Sequence, residues 1–323
     1  MTNVLVLETY AEAYRDALRG EFRDLEVQVA NSPADAAVDF GKVDVLVAFG
    51  MGVTDAMFTR MPALQWVQSL ATGVDHFLRS KTLPAGVILT SGRGIHGPAM
   101  RETVLHLMLS VSHDSNRLVA DKNAARWERR PWPLLAGKTA AVIGTGVAGS
   151  AIGAALQALG MRVIGVSGTP RKADGFDVVL PRQQLARAAA EADYLVNVLP
   201  ADAANLNLLG REVFAAMKPG AYFINVGRGE TVDEAALIEA LAQHRIAGAG
   251  LDVFATEPLP AASPLWKMPD VFIAPHVGGL FEEYAEMAIP LIIRNMRAFL
   301  SGQTDQMINR IGRSRPATAE TQP

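Results

Sequence analysis

The stretch TAAVIGTGVAGSAIGAALQALG, residues 139–160, limits what this chain can fold into more than any other. Gly144, Gly146 and Gly149 form a GxGxxG pattern that follows an apolar, strand-like run and opens a helix-length segment ending at Gly160. Glycines also punctuate ordinary loops, but strand before and helix after is the context of a dinucleotide-binding βα unit. There Gly144 allows the tight turn, Gly146 lets the backbone approach a pyrophosphate, and Gly149 permits close helix packing. Helix N-terminal amides near Val147 and Ala148 would face the phosphates, with Thr145 inside the turn.

The next strand-like run ends at Val166 and leads into GVSGTPRK, residues 165–172. An Asp or Glu just past that strand would accept hydrogen bonds from the ribose 2′-hydroxyl and repel a 2′-phosphate. Ser167 stands there instead, followed by Gly168, Thr169, Arg171 and Lys172, which offer a hydroxyl donor and positive charge suited to a phosphate. A solvated basic turn is the plainer reading; the missing acid favours NADP(H) over NAD(H).

The 323 residues amount to roughly two domains at about 150 residues each. Half are hydrophobic and a fifth charged, enough for sizeable cores, and the net charge of -3 gives no overall pull toward nucleic acid or an anionic membrane. No cysteine is present, which excludes a disulfide framework, a thiolate nucleophile and a Cys-based zinc site. MTNVLVLETY reads as a first strand rather than a signal peptide, and no apolar run reaches the length of a membrane helix, so a soluble, cytoplasmic protein is expected.

Short β-branched runs alternate with helical patterns, the mark of α/β architecture with parallel sheets. Strands are expected at Val4–Leu7, Val27–Ala30, Val45–Phe49, Trp66–Ser69 and within PAGVILTSG, with helices at Ala11–Arg19 and Asp55–Met61. A long helical pattern runs from about Pro98 to Asn123, with Val104, Leu107, Met108, Val111 and Leu118 spaced for one buried face. Beyond the breakers in RRPWPLLAGK, strands are expected at Thr139–Ile143, Arg162–Val166, Tyr194–Val198, Tyr222–Asn225, Gly248–Leu251 and Val271–Ala274, then a last helix at Glu282–Leu300. The tail SRPATAETQP has a disorder-prone composition.

Polar residues gather where several of these strands end, the edge at which open α/β sheets bind ligands. Arg228 lies in INVGRGETVDEAAL, Asp252 and Glu257 in AGAGLDVFATEPLP, and His276 in VFIAPHVGG. Arg228 suits a forked contact with a carboxylate, His276 proton exchange with a carbonyl oxygen, and Glu257 the orientation of that ring in its protonated form. Singly, each is as readily a surface ion-pair partner, a loop residue or a structural histidine.

Together with GVDH at 73–76 and GPAMRETVLHLML at 97–109, these segments resemble the D-isomer-specific 2-hydroxyacid dehydrogenase family, and the spacing of Arg228, Glu257 and His276 resembles its catalytic triad. The resemblance covers 64–276 most clearly. It implies two Rossmann-like or flavodoxin-like lobes with the active site in the cleft between them: 1–98 plus 286–323 for substrate, 99–285 for dinucleotide. It further implies that LATGV offers amides of Ala71, Thr72 and Gly73 to the substrate carboxylate, that Asp252 binds the nicotinamide carboxamide with Val226 near the ring, and that Pro200 and Gly278 complete the cofactor contacts. A homodimer built partly on the helix after residue 98 is implied as well.

GVSGTPRK with GIHGPAMRE is most similar to the glyoxylate and hydroxypyruvate reductase branch. Two departures stand out: ADAAN at 201–205 replaces the family's usual Leu-Thr-Pro-x-Thr continuation after NVLP, and Arg101 precedes Glu102 where a small residue is usual. Because the family also contains transcriptional corepressors, a non-catalytic dinucleotide sensor is the alternative, as is a dehydrogenase of another substrate such as formate, phosphite or phosphoglycerate. Met51, His96 and the region of Tyr284 and Met287 are either pocket-lining or packing residues.

Overall fold

The computed structural model describes residues 1–312 apart from 33, 35–37 and 170, with the backbone only of Met51. In chain order its main elements are β1 (Thr2–Leu7), α1 (Ala11–Glu21), β2 (Leu25–Ala30), β3 (Val45–Ala48), α2 (Asp55–Phe58), β4 (Trp66–Ser69), α3 (Asp75–Arg79), β5 (Ile88–Thr90), α4 (Gly97–Ser112), α5 (Ser115–Asn123), β6 (Thr139–Ile143), α6 (Val147–Ala158), β7 (Arg162–Ser167), β8 (Val178–Pro181), α7 (Leu185–Glu191), β9 (Tyr194–Asn197), α8 (Arg211–Ala216), β10 (Tyr222–Asn225), α9 (Glu234–Ala242), β11 (Gly248–Leu251), β12 (Val271–Ile273) and α10 (Tyr284–Leu300). Among the described residues they form two compact units, Met1–Ile95 with the chain from Phe281 to Gly312, and His96–Leu280.

The first unit holds a parallel sheet of order β2-β1-β3-β4-β5. Its central strands read VLVL, VLVA and WVQS and are buried throughout, as strands covered by helices on both faces must be. Leu46, Val67 and Phe77 lie in one of its cores, and Tyr14, Trp66, Tyr284 and Met296 in the other. The second unit holds a seven-stranded parallel sheet of order β12-β11-β10-β9-β6-β7-β8. Strand order reverses beside β6, and the GxGxxG turn lies at the C-terminal end of that strand.

Two α/β units with parallel sheets are the architecture expected from the alternating pattern. The long helix expected over 98–123 is instead two helices. Asp114 separates α4 from α5 in the left-handed conformation, with φ 53° and ψ 51°. Val104, Leu107 and Met108 fill the core against Val142, Val196 and Ile224, but Leu118, expected on the same face, is 38 % exposed because the chain has turned at Asp114. Periodicity alone does not register this break: Asp is among the few side chains that tolerate a single left-handed residue, and no Gly or Pro announces it. The helix expected over 55–61 closes at Phe58, and β8 and the helices α3, α7, α8 and α9 form where no element was assigned.

The tail from 313 lies outside the described residues. Among the described residues no helix is long and apolar enough to cross a membrane. Asp114→Val puts a β-branched side chain at φ 53° and should lower the stability of the second unit by about 1–2 kcal/mol. Asp114→Gly should cost distinctly less, as read by chemical denaturation.

Candidate active site

Because β10, β11 and β12 are adjacent and parallel, their C-terminal ends share one edge. The chain leaves β10 toward Arg228, β11 toward Asp252 and Glu257, and β12 toward His276. His276 Nδ1 meets Glu257 Oε2 at 2.7 Å, while Glu257 Oε1 accepts the Phe254 amide at 2.9 Å. Burial opposes ionisation of Glu257, but the hydrogen bonds from His276 and Phe254, with the charges of His276 and Arg228, outweigh it and hold the carboxyl below its usual range. Both side chains keep about a third of their surface exposed, 35 % and 33 %, so this pair can meet a ligand.

His276 is in the left-handed region, φ 55°, where a residue other than Gly needs outside support. Asp252, only 2 % exposed, provides it: its carbonyl accepts the His276 amide at 2.8 Å, and its carboxylate oxygens accept the amides of Val277 at 2.8 Å and Gly278 at 3.0 Å. Burial pushes the Asp252 carboxyl up, with those two amides pulling the other way. The resemblance assigned Asp252 to the nicotinamide carboxamide; in the structure it also fixes the loop that carries the histidine.

Arg228 is held through its backbone. Its carbonyl accepts the Thr231 hydroxyl at 2.7 Å, and Asn197 Nδ2 donates to Thr231 Oγ1 at 2.7 Å and to Asn225 Oδ1 at 2.8 Å. Asn225 Oδ1 also accepts the Gly227 amide at 3.2 Å, and Arg228 Nη1 donates to the Gly227 carbonyl at 2.7 Å. Sequence reasoning missed Asn197, Asn225 and Thr231, all at most 2 % exposed. A signal was present, since YLVN and YFIN each end an apolar strand with an amide that must find partners once buried.

The dinucleotide turn has the geometry its sequence demands. Gly144 adopts φ 112°, and a Cβ on Gly149 would stand 1.9 Å from the Gly144 carbonyl oxygen. No side chain caps α6 at Gly146, which leaves first-turn amides at Val147 and Ala148 open to an anion. These features fit a pyrophosphate. Val226 is buried beyond β10, while Pro200 is exposed beyond β9 with its carbonyl accepting Asn205 Nδ2 at 3.1 Å. Ser167 closes a local turn: its hydroxyl donates to the Thr169 carbonyl at 3.1 Å and accepts the Thr169 amide at 3.3 Å. Gly168, Thr169, Arg171 and Lys172 are exposed, and Pro170 lies outside the described residues.

In the first unit, the segment after β4 is tied by its carbonyls. Leu70 accepts the Tyr284 hydroxyl at 2.6 Å, and Ala71 accepts the Gly92 amide at 2.9 Å and the Ser69 hydroxyl at 3.2 Å. Thr72 is exposed and Gly73 half-buried. Tyr284 is 3 % exposed, packed against Phe49 and Phe281, with Met287 on the same core. His96 is buried at the N-cap of α4 and makes no side-chain cap bond. The Met51 side chain lies outside the described residues.

The sequence model for the D-isomer specific 2-hydroxyacid dehydrogenase, NAD binding domain, matches residues 105–278, more than half of the chain. The chain belongs to this family. It is 33 % identical to glyoxylate/hydroxypyruvate reductase B of Pectobacterium atrosepticum, over 81 % of this chain and 83 % of the relative. A D-isomer specific 2-hydroxyacid dehydrogenase family protein of Aeromonas salmonicida superposes with a TM-score of 0.89 at 32 % identity, covering 97 % of this chain and 99 % of that one. An NADPH-dependent glyoxylate/hydroxypyruvate reductase of Sinorhizobium meliloti, solved with NADP and sulfate, superposes with a TM-score of 0.83 at 28 % identity and the same coverage, 97 % and 99 %.

Two expectations follow for the site of this dehydrogenase. Asp252→Asn sets an amide donor against a backbone amide that has lost its acceptor, and should destabilise the second unit by about 1–3 kcal/mol in thermal or urea denaturation. For Glu257, whose folded pKa is depressed, the stabilisation is present above its ordinary value of 4.5 and is lost as pH falls through the lower folded value. The stability gap between wild type and Glu257→Gln should therefore be full above about pH 5 and shrink below it.

Proposed function

We propose that this protein reduces a small 2-keto acid, glyoxylate and hydroxypyruvate foremost, to the D-2-hydroxy acid, with NADPH preferred to NADH. The observation that carries the reading is the His276–Glu257 hydrogen bond of 2.7 Å on the strand edge that also bears Arg228. The reduced dinucleotide, when bound, supplies the hydride that goes to the keto carbon. His276, held at Nδ1 by Glu257, gives a proton to the carbonyl oxygen and leaves a hydroxyl. Arg228 grips the carboxylate and polarises the neighbouring carbonyl. On the first unit, the amides of Ala71, Thr72 and Gly73 are proposed as carboxylate donors, with Met51 beside the substrate.

For the dinucleotide, the proposed contacts are Gly144, Thr145, Gly146, Val147, Ala148 and Gly149 at the phosphates, and Ser167, Gly168, Thr169 and Arg171 at the adenosine ribose. Pro200, Val226, Asp252 and Gly278 are proposed along the rest of the molecule. Relatives named glyoxylate/hydroxypyruvate reductase support the substrate class, and the NADP bound to the Sinorhizobium meliloti enzyme supports the cofactor. The missing carboxylate after β7 supports it independently.

A homodimer is proposed on the segment after α4. Arg126 and Arg130 both clasp buried Asp121, at 2.7 and 3.0 Å, and the chain around this clasp leaves Val119, Trp127, Trp132 and Leu134 exposed. Apolar surface gathered on one segment is more than a solvated face carries without reason.

His276→Ala should lower kcat by about 10² to 10⁴ while leaving the NADPH Kd nearly unchanged; undiminished turnover contradicts the assigned role. Light scattering on a sizing column should give twice the chain mass, and Trp127→Glu with Leu134→Glu should shift it toward the monomer.

A further inference from the structure

From the sequence, the 2′-phosphate donors of the second unit are expected in a single turn, 167–172. In the structure the hydroxyl of Ser167 is engaged with the carbonyl and amide of Thr169, and Arg171 and Lys172 are exposed. A better-held cation stands next door. β8 pairs with β7 in parallel, with Ser167 opposite Pro181, so the residue after Pro181 emerges at the same sheet edge, beside Ser167 and Gly168. That residue is Arg182.

Arg182 is half-buried and its Nη2 donates to Asn205 Oδ1, while Asn205, 7 % exposed, uses its Nδ2 to hold the Pro200 carbonyl at 3.1 Å. Arg182 is thus fixed between the turn after β7 and the loop after β9 by a neutral amide. Among the described residues no carboxylate pairs with it. Arg162 and Arg187 of the same unit, by contrast, both pair with Glu191. A guanidinium held in place, partly desolvated and left without a counter-charge is arranged for an anion that comes from outside.

We propose that Arg182 is a specificity-determining residue that binds the 2′-phosphate of the cofactor's adenosine, oriented for it by Asn205. This rests on the reading of the second unit as an NADP(H)-binding unit. It gives the 201–205 departure from the family pattern a use: Asn205 replaces the usual loop chemistry with an acceptor that aims the guanidinium. Arg171, at the turn, then adds charge rather than the principal contact.

The test is equilibrium binding by calorimetry, with NADPH, NADH, adenosine 2′,5′-bisphosphate and adenosine 5′-monophosphate as probes, on wild type, Arg182→Gln, Arg182→Lys and Arg171→Gln. For Arg182→Gln the expected result is a loss on the order of 10- to 100-fold for NADPH and the bisphosphate, with NADH and the monophosphate unchanged. Arg182→Lys should recover part of the loss, and Arg171→Gln should cost less than Arg182→Gln. Equal weakening of all four probes, or none, overturns the proposal by reducing Arg182 to a support for the loop. Preference of the wild type for NADH would instead overturn the NADP(H) reading itself, and is read before any variant is made.

Discussion

A carboxylate almost wholly removed from water needs a hydrogen-bond donor for each of its oxygens, and Asp252 finds them in the amides of Val277 and Gly278. The rest of the catalytic edge depends on this interaction. It holds the chain after β12 in a turn that leaves His276 at positive φ with its imidazole hydrogen-bonded to Glu257. The two acids are pushed in opposite directions: burial governs Asp252 and raises it, while hydrogen bonds and cations govern Glu257 and lower it. One carboxyl is thereby built into the scaffold and the other stays charged beside the ring it orients.

The same logic recurs around Arg228. Asn197, Asn225 and Thr231 form a buried hydrogen-bonded network, and that network fixes the backbone from which the guanidinium projects. The adjacency of β10, β11 and β12 turns separate loop placements into one site, because parallel strands deliver their following residues to a common edge. At the other side of the reversal in strand order, the glycine turn leaves open amides for a pyrophosphate. Hydride chemistry on an acid needs both ends at once, and a single sheet supplies them.

Much of this was legible in the sequence because it rests on local chemistry. The GxGxxG turn, the β-branched runs and the positions of Arg228, Glu257 and His276 depend on residue type and spacing, which a linear reading sees. The break at Asp114 was hidden, since helical periodicity continues through it and its conformation is decided by packing rather than by a breaker residue. β8 was hidden too, being four residues long with no alternation to mark it, and with it the placement of Arg182 beside Ser167. The support given by Asp252 was invisible for a different reason: its partners are backbone amides, which every sequence contains.

The central claim is that these residues perform reduction rather than dinucleotide binding alone. Its most direct measurement is the consumption of NADPH by the purified protein, followed by nicotinamide absorbance, with glyoxylate, hydroxypyruvate or pyruvate supplied. The account predicts NADPH oxidation matched mole for mole by 2-hydroxy acid formed, fastest with glyoxylate or hydroxypyruvate. A protein that binds NADPH tightly and oxidises none of it with any 2-keto acid would contradict the account and leave a sensor in place of an enzyme.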